Sequence, residues 1–435
     1  MHIYFIGIGG TGIGPLAIIA REVGFEISGS DSKESEYTHY LEKKGVLVTY
    51  DQSSNAMRHI HSERPIDWVV SVSSITRNNP DHQELVFARS NGIRITERDA
   101  CLNEILASNN LKMIAAAGTH GKTTSTAMLV WLFQNLNIPI SYSIGAKTSF
   151  AEMGHYEPGS EYFIYECDEF HRNFLHFNPR LSIISGITWD HHEVFKTREE
   201  YKQAFREFFD QNEKIIMWDN DAEYVGVKQS DIITIEDSSE ENIEKLDTPG
   251  HYNRRNAWLA ILAVHELTGE PIGKLMDIIS RFPGSQRRME EIAPNIFSDY
   301  AHTPEKIIGC MSVAMEVAKQ QNREIVVVYE PLTNRRQHFM KDDYKNCFDG
   351  AKHVIWIPSY LSREDTSQRV LTPAELIAHL EKPEIASPAE MNDKLWTDII
   401  DSVRDDCIVV CMSGGGGDSL DEWLRSKVTD QAQNR

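Results

Sequence analysis

The amino-acid sequence predicts an α/β protein of three domains. Short apolar runs suited to buried parallel strands alternate with helical patterns along the chain. Two glycine-rich turns, in "FIGIGGTGIG" and "AAGTHGKTT", each follow such a run and open a helix. The length of 435 residues also exceeds one ordinary domain, since about 150 residues per domain suggests roughly three.

The first domain, residues 1–109, opens on the strand "HIYFIGIGG". It passes through the helix "GPLAIIAREVG" to a second strand, "EISGSD", then continues with "WVVSVSS" and "IRITE" and ends near "CLNEILASNN". That alternation is the pattern of a doubly wound, Rossmann-like unit. The central domain, residues 110–284, begins at "KMIAAAGTHGKTT", and "YFIYECDE", "LSIISGI", "KIIMWDN" and "DIITIED" read as strands of a mostly parallel sheet. Apolar residues recur at three- and four-residue intervals in "EEYKQAFREFFDQ", which predicts a helix. Helices in "RRNAWLAILAVHELTG" and "IGKLMDIISRF" close the domain, and "PGSQRR" supplies turn formers at the boundary. The third domain, residues 285–435, is again Rossmann-like: it begins near "IFSDYAHTP", and "EIVVVYEP", "HVIWIPSY" and "CIVVCMSGGGG" are its buried strands. The polar tail "KVTDQAQNR" reads as frayed.

Composition bounds the function. With 41% apolar and 25% charged residues the chain is ordinary for a globular protein. Its 44 basic and 65 acidic side chains give a formal charge of −21, which repels nucleic acid and anionic lipid, so neither is expected as a partner. An anionic ligand therefore needs a local site. The opening lacks a basic leader, and there is no run of about 18 apolar residues, so a cytoplasmic location is expected. Six cysteines without a C-x-x-C pair signal neither a disulfide framework nor a zinc site and read as buried thiols. Monomer and homodimer both remain open.

In the first turn, Gly7, Gly9 and Gly12 satisfy G-x-G-x-x-G between a strand and a helix, and Asp31 ends the next strand. Glycines there let backbone amides approach a diphosphate, while Asp31 is placed to accept from a ribose. NAD and a UDP-sugar offer the same diphosphate, and spacing alone does not choose between them. The second turn is sharper. In Gly118-Thr119-His120-Gly121-Lys122-Thr123-Thr124 the amides can cradle phosphates, Lys122 can reach β and γ oxygens, and the Thr123 hydroxyl can ligate Mg²⁺. This is an ATP-site pattern, although Ala116 stands where the commonest P-loop has its first glycine. Glu166, Asp168 and Glu169 follow one strand and Asp190 and His191 another. Both groups belong at the sheet's C-terminal edge, where carboxylates and a neutral imidazole can hold cations bridging phosphates.

The order "GIGGTGIGPLA", "GSD", "SSITRNNP", "GTHGKTT", "ECDEFHRNFL", "DHHEVF", "NRRNA", "RRME", "DYAHTP" and "YEP" resembles the Mur ligases of peptidoglycan synthesis over nearly the whole chain. The resemblance implies an ATP-dependent amide ligase that joins L-alanine to UDP-N-acetylmuramate through an acyl phosphate. It also implies an alternative acceptor, the L-Ala-γ-D-Glu-meso-diaminopimelate tripeptide of cell-wall recycling. Its substrates would be UDP-N-acetylmuramate, ATP and an amino acid or short peptide, with two Mg²⁺ ions. Gly7, Gly9, Gly10, Thr11, Gly12, Ser30, Asp31, Ser73 and Ser74 would bind the UDP-sugar. Thr123 and Glu166 would hold one Mg²⁺, and Glu166 with His191 would lie near a second. Lys122, Glu166, His191 and Arg288 would be the catalytic set, with Arg288 on phosphate. Asn253 and Asn256 would read adenine, Asp299 and His302 would contact the nucleotide, and Arg336 would face the acceptor. Three departures stand out: Tyr252 replaces a histidine of the adenine motif, Phe205 occupies the position of a carbamate lysine found in several relatives, and Leu332 and Thr333 replace a histidine-arginine pair of the alanine-adding branch.

Overall fold

A computed structural model describes residues 1–191, 194–237, 241–362, 364–365 and 367–433; the side chain of Ser74, and His192 and Glu193 of "DHHEVF", lie outside the described part. The chain forms two compact bodies, Met1–Asn242 with Asn256–Phe282, and Ile243–Arg255 with Pro283–Arg435.

The first body carries two sheets. Strands β1 (His2–Ile6), β2 (Glu26–Ser30), β3 (Leu47–Thr49), β4 (Trp68–Ser71) and β5 (Arg94–Glu97) are all parallel and lie in the order β3-β2-β1-β4-β5. β1 and β4 are buried along their whole length, as their unbroken apolar runs require of strands covered on both faces. From β1 the chain winds outward through β2 and β3, then returns to β4 on the other side. The switch point therefore lies between β1 and β4, where a crevice opens beyond the strand ends.

The second sheet comprises β6 (Lys112–Ala117), β7 (Ile140–Ser143), β8 (Gly154–His155), β9 (Tyr162–Glu166), β10 (Leu181–Ile184), β11 (Ile215–Trp218) and β12 (Ile233–Glu236). Its order is β12-β11-β10-β6-β9-β7-β8, parallel except for the β7–β8 pair. The turn after β6 thus emerges between the ends of β9 and β10, which bring Glu166 and Ser185 to the same edge. The helix predicted in "EEYKQAFREFFDQ" runs Arg198–Phe209 behind a capping box of Thr197 and Glu200. Its inner face buries Tyr201, Ala204, Phe205, Phe208 and Phe209, and Phe174 stacks on Phe208 with ring centroids 4.6 Å apart. Phe205, at the carbamate-lysine position, is fully buried with its ring edge-on to Phe174 and Tyr201, so an apolar cluster replaces a charge there.

In the second body β13 (Glu290–Ala293), β14 (Ile296–Asp299), β15 (Glu324–Glu330), β16 (His353–Trp356), β17 (Ala386–Pro388) and β18 (Cys407–Ser413) lie in the order β13-β14-β18-β15-β16-β17, with only β13 antiparallel to its neighbour. The segment Ile243–Arg255 is tied to this body through Glu316, which accepts from Gly250 N and Arg254 Nη1, both at 2.9 Å. The tail read as frayed instead continues a helix, Leu420–Gln433, because Leu420 and Leu424 are buried against the sheet and pin its first turns. All six cysteines are buried and free. No helix among the described residues is long and apolar enough to cross a membrane.

Replacing Phe205 by alanine empties the centre of the aromatic cluster. It is expected to cost about 3–5 kcal/mol in urea unfolding, and a loss below about 1 kcal/mol would show that the cluster is not tightly packed.

Candidate nucleotide and ligation site

The second glycine turn is shaped by two left-handed glycines. Gly118 has φ +127° and Gly121 φ +80°, and Gly121 directly precedes the helix Lys122–Asn135. A Cβ at Gly121 would also stand 2.7 Å from Asn256 Oδ1, so only glycine fits on both backbone and steric grounds. Ala116 needs no such freedom. It lies inside β6, fully buried and paired with Glu166 and Ile183, and the turn starts only after it.

Lys122 Nζ donates to Gly118 O at 2.6 Å and to Glu169 Oε2 at 2.7 Å, and Asp168 Oδ1 lies 3.9 Å away. Glu169 is fully buried. Burial alone would raise its carboxyl, but the Lys122 ammonium and then His191 outweigh that and hold it at about 2. For Lys122 burial opposes the charge, and Glu169, Asp168 and Glu166 together overcome it and raise the ammonium above its ordinary value. The pair is therefore ionised. The other oxygen of Glu169 lies 3.5 Å from His191 Nε2 and accepts from Tyr201 OH at 3.3 Å. Tyr201 OH in turn meets Thr119 Oγ1 at 2.7 Å, and Thr119 also donates its hydroxyl to Thr188 O at 2.7 Å and its amide to Gly186 O at 2.7 Å. Thr119 thus ties the loop to the sheet edge. Sequence reasoning singled out neither Tyr201 nor the special place of Glu169 among three neighbouring acids, because burial distinguishes them and spacing does not.

Thr123 Oγ1 donates to Glu166 Oε1 at 3.0 Å. Gly145 lies close against that carboxylate, since a Cβ there would stand 3.1 Å from Glu166 Cδ. A hydroxyl and a carboxylate are hard oxygen donors of the kind Mg²⁺ selects. Beside them, one ligand atom each from Asp168, Glu169 and His191 falls within a mutual 4.8 Å. His191 has φ 54°, a left-handed backbone supported by its own amide donating to Asp190 Oδ1 at 2.6 Å. Glu169 Oε1 lies 3.5 Å from His191 Nε2, and Glu166 Oε1 accepts from Thr123.

In the first turn Gly7 N and Ile8 N donate to Ser30 O at 2.8 and 2.9 Å, Gly10 N to Gly7 O at 3.0 Å, and Gly9 N to Asp31 Oδ2 at 2.8 Å. Asp31 therefore braces the turn, and Ser30 Oγ donates to the buried Glu84 at 2.8 Å. Gly7 lies against the segment after β4, since its missing Cβ would be 3.7 Å from Ile75 and 3.8 Å from Val72. That segment contains Ser73, which is partly exposed, and Thr11 and Gly12 are exposed.

The second body holds the remaining candidates. Asn253 donates to Pro249 O at 2.9 Å. Arg288 and Arg287 both lie over the Tyr300 ring, at 5.3 and 4.6 Å. Asp299 accepts from Met289 N at 2.8 Å, and burial raises its carboxyl against the pull of Arg288. His302 Nδ1 meets Tyr300 O at 2.7 Å, and the ring packs where a Cβ on Gly414 would come within 2.7 Å. Thr333, in the place of an expected arginine, has φ 54°, a strained value for a β-branched residue. Its hydroxyl accepts from Arg336 N at 3.4 Å and so starts the helix Asn334–Met340 that carries Arg336.

The Lys122–Glu169 pair yields a stability test. Glu169→Gln leaves a buried ammonium without its counter-charge and is expected to cost about 3–5 kcal/mol at pH 7. The native carboxyl sits below its ordinary 4.5, so the stabilisation is complete above that pH and fades as pH falls towards about 2. Urea titrations should show the gap between wild type and variant narrowing over that range; a gap constant with pH would contradict an ionised pair.

The chain is also similar to known proteins. Residues 2–110 match the profile "Mur ligase family, catalytic domain", and residues 116–257 match "Mur ligase middle domain". A UDP-N-acetylmuramate–L-alanine ligase of Agathobacter rectalis is 30% identical over 420 residues, covering 88% of each chain. One from Clostridium perfringens is 28% identical, covering 83% of this chain and 84% of its own. Among solved structures, the UDP-N-acetylmuramate-alanine ligase of Thermotoga maritima superposes with a TM-score of 0.79 at 23% identity, covering 100% of this chain and 99% of that one. A murein peptide ligase of Psychrobacter arcticus gives 0.67 at 23% identity, covering 98% of both chains. At those identities the structural matches speak for a shared fold. With two glycine turns, profile matches over residues 2–110 and 116–257 and relatives matched along most of their length, the chain belongs to the Mur ligase family.

Proposed function

We propose that this protein is the ligase that joins L-alanine to UDP-N-acetylmuramate at the expense of ATP. The observation that carries the reading is the head of the helix Lys122–Asn135, where Lys122 and Thr123 face Glu169 and Glu166 at a parallel-sheet edge. The names of the relatives supply the substrates.

The chemistry explains the equipment. An amine cannot expel oxide from a carboxylate at neutral pH, so the carboxylate of the sugar nucleotide must first accept the γ-phosphoryl group of ATP. The resulting acyl phosphate has a competent leaving group, and the amine of the amino acid displaces phosphate through a tetrahedral intermediate. Phosphoryl transfer asks for positioning and charge neutralisation more than covalent help. In this reading Gly118, Thr119, His120, Gly121, Lys122, Thr123 and Thr124 bind the ATP phosphates, and Thr119 also keeps the loop in shape. Thr123, Glu166 and His191 would hold two Mg²⁺ ions, which supply charge neutralisation on the phosphates when bound. Asn253 and Asn256 read adenine, Arg288, Asp299 and His302 serve the nucleotide, and Arg336 receives the acceptor. Gly7, Gly9, Gly10, Thr11, Gly12, Ser30, Asp31, Ser73 and Ser74 form the sugar-nucleotide site. The domain limits 1–109, 110–284 and 285–435, a cytoplasmic location and a monomeric or homodimeric state belong to the same proposal.

A phosphate-release assay with ATP, Mg²⁺ and UDP-N-acetylmuramate against L-Ala, L-Ser, Gly and the L-Ala-γ-D-Glu-meso-diaminopimelate tripeptide tests it. Turnover should be highest with L-Ala and absent without the sugar nucleotide. Lys122→Ala should abolish release while UDP-N-acetylmuramate still binds. Preference for the tripeptide would reassign the acceptor, and normal turnover in Lys122→Ala would remove the phosphate-loop assignment.

A further inference from the structure

Arg98 is the first residue of the helix Arg98–Ser108, immediately after β5, and its guanidinium reaches back across the strand ends to the first glycine turn. A Cβ built on Gly12 would collide with Arg98 Nη1 and stand 3.6 Å from Cζ, so the guanidinium lies directly over the third glycine of G-x-G-x-x-G. Arg98 Nε donates to Asp99 Oδ1 at 3.1 Å, and Asp99 is itself anchored by His176 Nδ1 at 3.3 Å. This pair fixes the base of the fork. Among the described residues neither Nη1 nor Nη2 has a hydrogen-bond acceptor, and the side chain remains 22% exposed. Four of the five guanidinium N–H donors therefore have no acceptor among the described residues and stand beside the turn.

The turn shows a matching gap. The amides of Gly7, Ile8, Gly9, Gly10, Ile13 and Gly14 all donate within the protein, to Ser30 O, Asp31 Oδ2, Gly7 O and Gly10 O. Those of Thr11 and Gly12 have no acceptor among the described residues, and both residues are exposed. Two adjacent amides and a forked cation thus share one small surface at the switch point of the first sheet. Arg98 carries a permanent positive charge, and Tyr165, Asp99 and Asp168 lie around it. Tyr165 and Asp168 flank the end of β9, the edge that carries Glu166. Arg98 therefore stands between the first turn and the edge of the phosphate-loop sheet.

We propose that Arg98 is a substrate-binding residue that grips the diphosphate of the sugar nucleotide together with the amides of Thr11 and Gly12. The assignment rests on the sugar-nucleotide reading given above. It adds a cation to a site whose glycine motif supplies only neutral donors, and in a chain of net charge −21 a dianionic ligand needs one. A planar fork suits two phosphate oxygens better than a point charge does.

Titration calorimetry with uridine, UMP, UDP and UDP-N-acetylmuramate tests the assignment, with the adenine-nucleotide site filled by a non-hydrolysable ATP analogue. Wild type should bind UDP more tightly than uridine. Arg98→Gln should lose about 10- to 100-fold in affinity for UDP and UDP-N-acetylmuramate. Its affinities for uridine and for the ATP analogue should stay unchanged. Arg98→Lys should fall between, and it decides the matter alone if the glutamine variant does not fold. UDP affinity retained in folded variants would overturn the assignment. So would a parallel loss for uridine and UDP, which marks a merely structural residue, or a loss confined to UDP-N-acetylmuramate, which would place Arg98 on the sugar's carboxylate. Wild type that bound no UDP would remove the sugar-nucleotide reading itself, and Arg98 with it.

Discussion

A buried ammonium and a buried carboxylate 2.7 Å apart, Lys122 and Glu169, organise the centre of the first body. Neither charge is stable there alone, because burial penalises each, and each makes the other tolerable. The consequences spread outward along hydrogen bonds. Glu169 reaches His191 and Tyr201, Tyr201 reaches Thr119, and Thr119 closes the phosphate loop onto Thr188 and Gly186. The loop's shape and the charge state of its lysine are thus set by the same small network.

This network explains why the loop tolerates an unusual sequence. The commonest P-loop begins its turn at a glycine, whereas here Ala116 extends β6 and the left-handed residues are Gly118 and Gly121. The turn is correspondingly tight, and its remaining freedom is removed by side chains: Thr119 on one side, Asn256 against Gly121 on the other. Preorganisation of this kind is what phosphoryl transfer demands, since the protein contributes placement and charge and little covalent chemistry.

Much of this was legible in the sequence where the signal is local. The two glycine turns, the strands that lead into them and the helix over Arg198–Phe209 all follow from short-range spacing, and each is where the pattern put it. Short or partly exposed strands were not legible: Leu47–Thr49 and Ala386–Pro388 are three residues each, and the Gly154–His155 bridge carries no period at all. The terminal helix was missed because its polar composition hides two buried leucines. In the site, Glu166, Asp168 and Glu169 look alike on paper. Only packing reveals that Glu169 is fully buried on Lys122 while Glu166 faces Thr123. Arg98 was invisible for a related reason, since it meets Gly12 across 86 positions of chain, and no local motif records that meeting.

The proposed reaction requires the two turns to hold two different anions, a sugar nucleotide on the first and a triphosphate on the second. A crystal structure of the protein with UDP-N-acetylmuramate and a non-hydrolysable ATP analogue tests this most directly. The expected result is the diphosphate of the sugar nucleotide on Gly7–Gly12 and the triphosphate on Gly118–Thr124, with its terminal phosphate directed towards the sugar's carboxylate. Both ligands competing for one turn, or either bound away from its turn, would contradict it.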